Sequence, residues 1–302
     1  IKTRFGDGSP VEIDEAELMG DLENGTADAA ERGNIPALSK EELQHLFDIF
    51  KVPYNFVSVE PGNEVILSYD AGTLKIRRVG AFKPWGSAVS AIEMALWDIA
   101  GKAAGVPVCK LLGAFRDRIP AYVSSGNYPE LEPFVTLGLQ VKELGFNGYK
   151  LHSRLGPEMD IQVAKAVREA VGDGFTLMHD PVQTYNYPEA VRVGRALEDL
   201  GYKWLEEPLQ EYDLSALTKL CNTLDIPIAA GEWVFGGPHI ATTMLAQGAA
   251  DIIRGDAVVS GGITGLMKVA HVAEGWGAPC EVHERGPAFG FAHAHALAAM
   301  SN

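Results

Sequence analysis

From residue 119 onward, short apolar runs alternate with longer amphipathic stretches. The runs fall near 120–124, 148–152, 175–179, 202–205, 227–230, 251–254 and 278–282. Each is too short for a helix and reads as a buried strand. Between them, "EMDIQVAKAVREAV" (158–171) and "YPEAVRVGRALEDL" (187–200) place apolar residues three and four apart, the spacing of a helix with one buried face. Strand–helix alternation with short connections predicts a parallel sheet with right-handed crossovers. Seven such strands predict a TIM-like (β/α) barrel whose last strand does not appear by residue 302. An open doubly wound sheet is the alternative, weakened because no glycine-rich dinucleotide fingerprint follows any strand.

Upstream the pattern differs. Residues 1–80 read as mixed strand and helix with frequent Gly and Pro, and 20–37 are polar and loop-like. In "SKEELQHLFDIF" (39–50), Ser39 and Glu42 form a capping box, and Leu43, Leu46, Phe47 and Phe50 give one apolar face. A stronger helix begins at 87 and is stopped by Gly105 and Pro107. The expected organisation is an α+β N-terminal capping domain over 1–118, including the helix 87–104, and a barrel over 119–302.

Composition narrows the function. Hydrophobic residues make up 47% of 302, enough for a large core. The net charge is −15 and the densest basic cluster is "KIRR" (75–78), so nucleic acid is not an expected partner. No apolar run reaches the roughly 20 residues of a membrane helix, and no signal-peptide pattern opens the chain, which begins at Ile1. Cys109, Cys221 and Cys280 are odd in number and far apart, as in a reduced cytoplasmic protein.

The chemistry gathers at the strand ends. His152, Asp180, Glu206, Glu232, Asp256 and His283 recur at intervals of 24 to 28 residues, one βα unit apart. That spacing places one ionisable group at the same level of successive strands, at the mouth where barrel active sites lie. Singly, an acid after a strand is most often a helix cap or a turn residue. Together, Asp180, Glu206 and Glu232 would repel one another unless a cation lay between them, and an all-oxygen set suits Mg²⁺ better than zinc. Alternation turns only one of Glu206 and Glu207 inward, and the spacing favours Glu206. Lys150 and His152 share one side of a strand, and Asp256 is placed to orient the His283 imidazole. A metal flanked by bases suits removal of a proton next to a carboxylate. His179 is turned away from the mouth by alternation, while His293 and His295 either line it or serve the following helix. Tyr185 is a weak candidate for substrate contact, Trp97 and Asp98 are expected to pack domain on domain, and Arg254 and Lys203 have no evident role.

Several motifs resemble the mandelate racemase/muconate lactonizing enzyme family of the enolase superfamily. They are "SAIEMALWDIAGKAAGVPVCKLLG" (90–113), "GFNGYKLH" (145–152), "WLEEPL", "AAGE" and "GGITG" (261–265). The resemblance runs from about 85 to the end. It implies a capping α+β domain over a (β/α)7β barrel, one Mg²⁺ per subunit held by Asp180, Glu206 and Glu232, and a homo-oligomer, octamer or dimer. It also implies the His283–Asp256 dyad of the mandelate racemase subgroup. His152 stands where the family usually has a second Lys, and the Glu of the eighth strand does not appear. The expected reaction is Mg-dependent dehydration of an acid sugar to a 2-keto-3-deoxy acid. The alternatives are a racemase or epimerase and a metal-binding homologue without catalysis.

Overall fold

The computed structural model describes residues 2–4, 10–12, 64–70, 73–79, 86–284 and 287–301. The expected helix 39–50 and the polar stretch 20–37 lie outside the described residues. The chain divides into two compact units, Ile1–Phe82 and Lys83–Asn302. In the first, β1 (Lys2–Arg4) pairs antiparallel with β2 (Pro10–Glu12), and β3 (Glu64–Asp70) pairs antiparallel with β4 (Thr73–Val79).

The second unit opens with α1 (Gly86–Ala104) and the short α2 (Val108–Leu111). Seven strands follow: β5 (Val123–Ser124), β6 (Gly148–Leu151), β7 (Thr176–His179), β8 (Leu205–Glu206), β9 (Ile228–Ala230), β10 (Ile252–Gly255) and β11 (Cys280–Val282). All adjacent pairs are parallel, and each strand lies beside its predecessor in sequence, with β5 and β11 at the two ends of the sheet. That unbroken order is a barrel's, without the reversal of a doubly wound sheet. The connecting helices are α3 (Glu132–Glu143), α4 (Pro157–Val171), α5 (Tyr187–Asp199), α6 (Leu214–Cys221), α7 (Pro238–Gln247), α8 (Ala257–Ser260) and α9 (Gly262–Trp276), and α10 (Pro287–Leu297) follows the last strand.

Strand alternation sorts the apolar side chains into two cores. Tyr149, Leu151, Leu177, Leu205, Ile228 and Ile253 face the helices and join the main core with Val163, Val167, Val193, Leu197 and Leu217. Met178, Trp204, Ala229 and Ile252 form a smaller cluster with Tyr122. The Tyr122 and Trp204 rings meet edge to face at 5.6 Å. This second cluster floors the barrel, and two positions on from Met178, Trp204 and Ile252 stand Asp180, Glu206 and Arg254.

The helix 87–104 and the "GGITG" motif explain each other. Glu93 on α1 accepts the backbone N–H groups of Ile263 (2.7 Å) and Thr264 (3.0 Å) in the first turn of α9. A helix N-terminus presents unpaired N–H groups and partial positive charge, so a carboxylate is well placed there. Trp97 donates its indole N–H toward both Glu93 and the Thr264 hydroxyl. Gly262, at φ 84°, leaves room for the Glu93 carboxylate, into which a Cβ would run. Trp97 therefore ties α1 to α9 within the second unit. Asp98 does not share that role: it is exposed and pairs with Lys102 one turn on along the same helix.

Candidate active site

Lys150, on β6, is buried, and its ammonium donates to Asp180 Oδ2 at 2.9 Å and Glu206 Oε1 at 2.7 Å. Burial works against the charge on Lys150, but the two carboxylates outweigh it and raise the pKa. Glu206 ends β8 with no exposed surface. Trp204, from the barrel floor, donates to its Oε2 at 3.1 Å. Burial would raise Glu206, yet Arg254 and Lys150 overcome it and hold the carboxylate ionised. Asp180, just past β7, moves the other way: burial raises it, Lys150 compensates in part, and Glu206 raises it further.

Arg254 is the residue that sequence reasoning left without a role. It lies on β10 between the floor residue Ile252 and the mouth residue Asp256, so alternation points it inward. Its guanidinium lies 3.0 Å from both Glu206 Oε1 and Glu232 Oε2. Asp180, Glu206 and Glu232 therefore form a row bridged by Lys150 and Arg254. The even spacing in sequence does not make these residues level. Glu206 pairs in register with Ala229, three positions before Glu232, and the chain turns through Gly231 (φ 112°) before Glu232 reaches the site.

Glu211 explains how that turn is held. Its carboxylate, 1% exposed, accepts the backbone N–H groups of Gly231, Glu232 (3.0 Å) and Trp233 (2.8 Å). Nothing in the sequence pattern marks it, because it sits in a loop after β8. Glu207, buried and away from Glu206, hydrogen-bonds Glu211, and burial followed by that neighbour raises its pKa. Three non-glycine residues in these loops are left-handed, Val182 (φ 53°), Gln183 (φ 59°) and Glu207 (φ 42°). For a β-branched residue such as Val182 this is a strained conformation, the kind that gathers at functional sites.

His283 follows β11, and Asp256 follows β10. Asp256 serves two purposes: Oδ1 caps α8 by accepting the Val258 N–H at 2.7 Å, and Oδ2 lies 3.1 Å from His283 Nδ1. One carboxylate thus caps a helix and stands beside the His283 ring. Glu232 Oε1 also lies 3.1 Å from His283 Nδ1, and Glu232, Asp256 and His283 form one tight group of potential ligand atoms. The Trp233 ring lies 6.2 Å from the His283 ring. His293 is buried behind the dyad, accepting the Ala257 N–H at 3.0 Å and lying 3.2 Å from Asp256 Oδ1, while His295 accepts the Cys109 N–H on α2.

His152 stands one residue past β6, its side chain about a third exposed, with Nε2 3.5 Å from Asp180 Oδ2. Burial, then Lys150 and Arg154, push its pKa down to about 4, so it is a neutral imidazole near pH 7. His179, as alternation predicts, points away, and its ring pairs with the Tyr185 hydroxyl at 3.0 Å. Tyr185 is buried there and directs its hydroxyl to Asp160 rather than to the mouth.

The donor set fits a hard divalent cation: Asp180, Glu206 and Glu232 are buried and supply only oxygen atoms.

A family model described as enolase C-terminal domain-like matches residues 136–302. A second, described as dimethylamine methyltransferase, matches residues 1–105. L-talarate/galactarate dehydratase of Salmonella typhimurium is 38% identical over 189 residues, 62% of this chain and 47% of that protein. L-Ala-D/L-Glu epimerase of Clostridium acetobutylicum is 30% identical over 197 residues, 64% of this chain and 54% of that protein. The crystal structure of D-glucarate dehydratase from Agrobacterium tumefaciens complexed with magnesium superposes with a TM-score of 0.68 at 35% identity, covering 72% of this chain and 59% of that one. The chain spans about half the length of these curated relatives.

Proposed function

Because this chain belongs to the enolase C-terminal domain-like family, in the mandelate racemase/muconate lactonizing group of the enolase superfamily, we propose that it removes the α-proton of a small carboxylate substrate in a Mg²⁺-dependent reaction. The reaction is dehydration of an acid sugar to a 2-keto-3-deoxy acid, as the dehydratases among its relatives suggest. The observation that carries this is the His283–Asp256 pair, 3.1 Å apart, meeting Lys150, His152 and three buried carboxylates at successive strand ends.

Asp180, Glu206 and Glu232 are the residues that would hold Mg²⁺. When bound, it supplies positive charge to the substrate carboxylate as the α-carbon loses its proton. Lys150 adds a second positive charge beside that carboxylate. Neutral His152 accepts the α-proton. Asp256 holds His283 through Nδ1, which leaves Nε2 free to carry a proton to the departing β-hydroxyl. The C–O bond breaks, water leaves, and the enol product tautomerises to the ketone.

Mono- and diacid sugars incubated with Mg²⁺ in D₂O and followed by proton NMR should yield a 2-keto-3-deoxy product. His283→Asn should abolish that product while leaving Mg²⁺ binding intact, and retained turnover would remove His283 from the mechanism. A second reading, epimerisation, is favoured by two bases on separate strands and by the epimerase relatives. It gives deuterium at the α-carbon without loss of water. Acids that bind with no proton exchange would point to a non-catalytic homologue.

The capping role of residues 1–118 over a barrel at 119–302, a cytoplasmic location and assembly as an octamer or dimer belong to the same reading. The antiparallel strand pairs of the first unit support strand content in the N-terminal part. Among the described residues, no helix is long and apolar enough to cross a membrane. Light scattering in solution tests the assembly.

A further inference from the structure

Behind the mouth lies a buried polar network that the proposed chemistry does not use. Asp160, in the first turns of α4, is fully buried, as are Ser153 and His179. Its Oδ1 accepts the Ser153 hydroxyl and the Leu155 N–H (3.0 Å), and its Oδ2 accepts the Tyr185 hydroxyl at 2.6 Å. Among the described residues no Lys or Arg pairs with it, so hydrogen bonds alone meet its charge. A buried carboxylate without a cation is costly to keep unless such bonds are complete.

The direction of these bonds separates Asp160 from an ordinary helix cap. It reaches back to the segment that follows His152 and sideways to the loop that follows Asp180. The Tyr185 proton points to Asp160, so His179 Nε2–H donates to the Tyr185 oxygen. His179 Nδ1 is then a bare acceptor, in agreement with its having no partner. Ser125, just past β5, adds a tether by accepting the His152 N–H at 2.8 Å.

We propose that Asp160, braced by Tyr185 and His179, is a positioning residue that fixes the loop 152–156 against the loop 180–186 and so sets where the His152 imidazole stands. It rests on the reading above that His152 moves the α-proton. Position matters steeply for such a step: a misplacement of about 1 Å costs on the order of 100-fold in rate.

The test uses Tyr185→Phe, which removes the hydroxyl and keeps the ring, and Ser153→Ala as a milder cut in the same network should the first fail to fold. For each full-length variant, turnover of the acid found active with the wild type, its KM, the Mg²⁺ midpoint by calorimetry and hydrogen exchange of the Leu155 amide are measured. The expected result is kcat lower by about 10-fold or more, KM and Mg²⁺ midpoint within about twofold, and faster exchange at Leu155. A kcat within about twofold of wild type would overturn the positioning role. So would an equal loss of Mg²⁺ affinity, which would make the network part of the metal cradle. If the wild type turns over no acid, the function assignment fails, and hydrogen exchange alone decides the clamp: Leu155 exchanging about tenfold faster in Tyr185→Phe upholds it, and unchanged protection removes it.

Discussion

Arg254 fills the gap between two buried carboxylates, and that makes it a costly side chain to lose from the site. Arg254→Met would leave Glu206 and Glu232 without their shared cation, and breaking a buried pair on one side costs about 3–5 kcal/mol. In a chain of this size the melting temperature should fall on the order of 10 °C, and saturating Mg²⁺ should restore part of the loss. A melting curve equal to that of the wild type would show that Arg254 is dispensable there. The cysteines behave differently, since burial pushes the Cys221 and Cys280 thiols up to about 12. A raised thiol pKa means less thiolate at any given pH, so iodoacetamide at pH 8 should leave both unlabelled in the native protein. Labelling at the rate of a free thiol would contradict this. At this scale the sequence revealed the acids and histidines through their regular recurrence. Arg254 was legible too, because alternation from Ile252 to Asp256 turns it inward, but a lone cation in an apolar strand carries no recurrence to draw attention. Glu211 and Asp160 were hidden for a stronger reason: each works through loop backbone from elsewhere in the chain, and local pattern cannot encode that partner.

Among the elements, the contact of α1 with α9 has the clearest consequence. Gly265 stands against the Ser260 carbonyl, so a Cβ there meets backbone, which cannot swing aside as a side chain can. Gly265→Ala should cost about 1–3 kcal/mol, and Glu93→Ala, which strands two N–H groups, a similar amount. Urea denaturation checks both: an unchanged midpoint in Glu93→Ala would mean that α1 and α9 do not depend on each other, and one in Gly265→Ala that α8 and α9 accommodate the added methyl. The barrel strands were readable as apolar runs, most plainly β6, β8, β9 and β10, which are buried on both faces. Their ends were less so. β5 keeps only Val123–Ser124 and β8 only Leu205–Glu206, because inward-facing polar residues take over where the ladder stops. The "GGITG" motif could be seen but not explained, since the group that Gly262 makes room for lies some 170 positions earlier, at Glu93.

For the molecule as a whole, a cation that binds the folded site and not the unfolded chain raises stability by mass action, about 2.7 kcal/mol at 100 times its dissociation constant. Melting should therefore shift upward with Mg²⁺ and return on chelation, and Asp180→Asn should blunt the response. A response that survives in Asp180→Asn would place the ion elsewhere. The barrel class was legible because alternation of strand and helix admits few topologies. The sheet's two ends have a further consequence for handling the protein. β5 and β11 are two and three residues long, and strands that short offer little ladder for another chain to extend. With a net charge of −15 keeping molecules apart at modest ionic strength, concentrated stocks should resist the sheet-to-sheet accretion that turns a solution cloudy on storage.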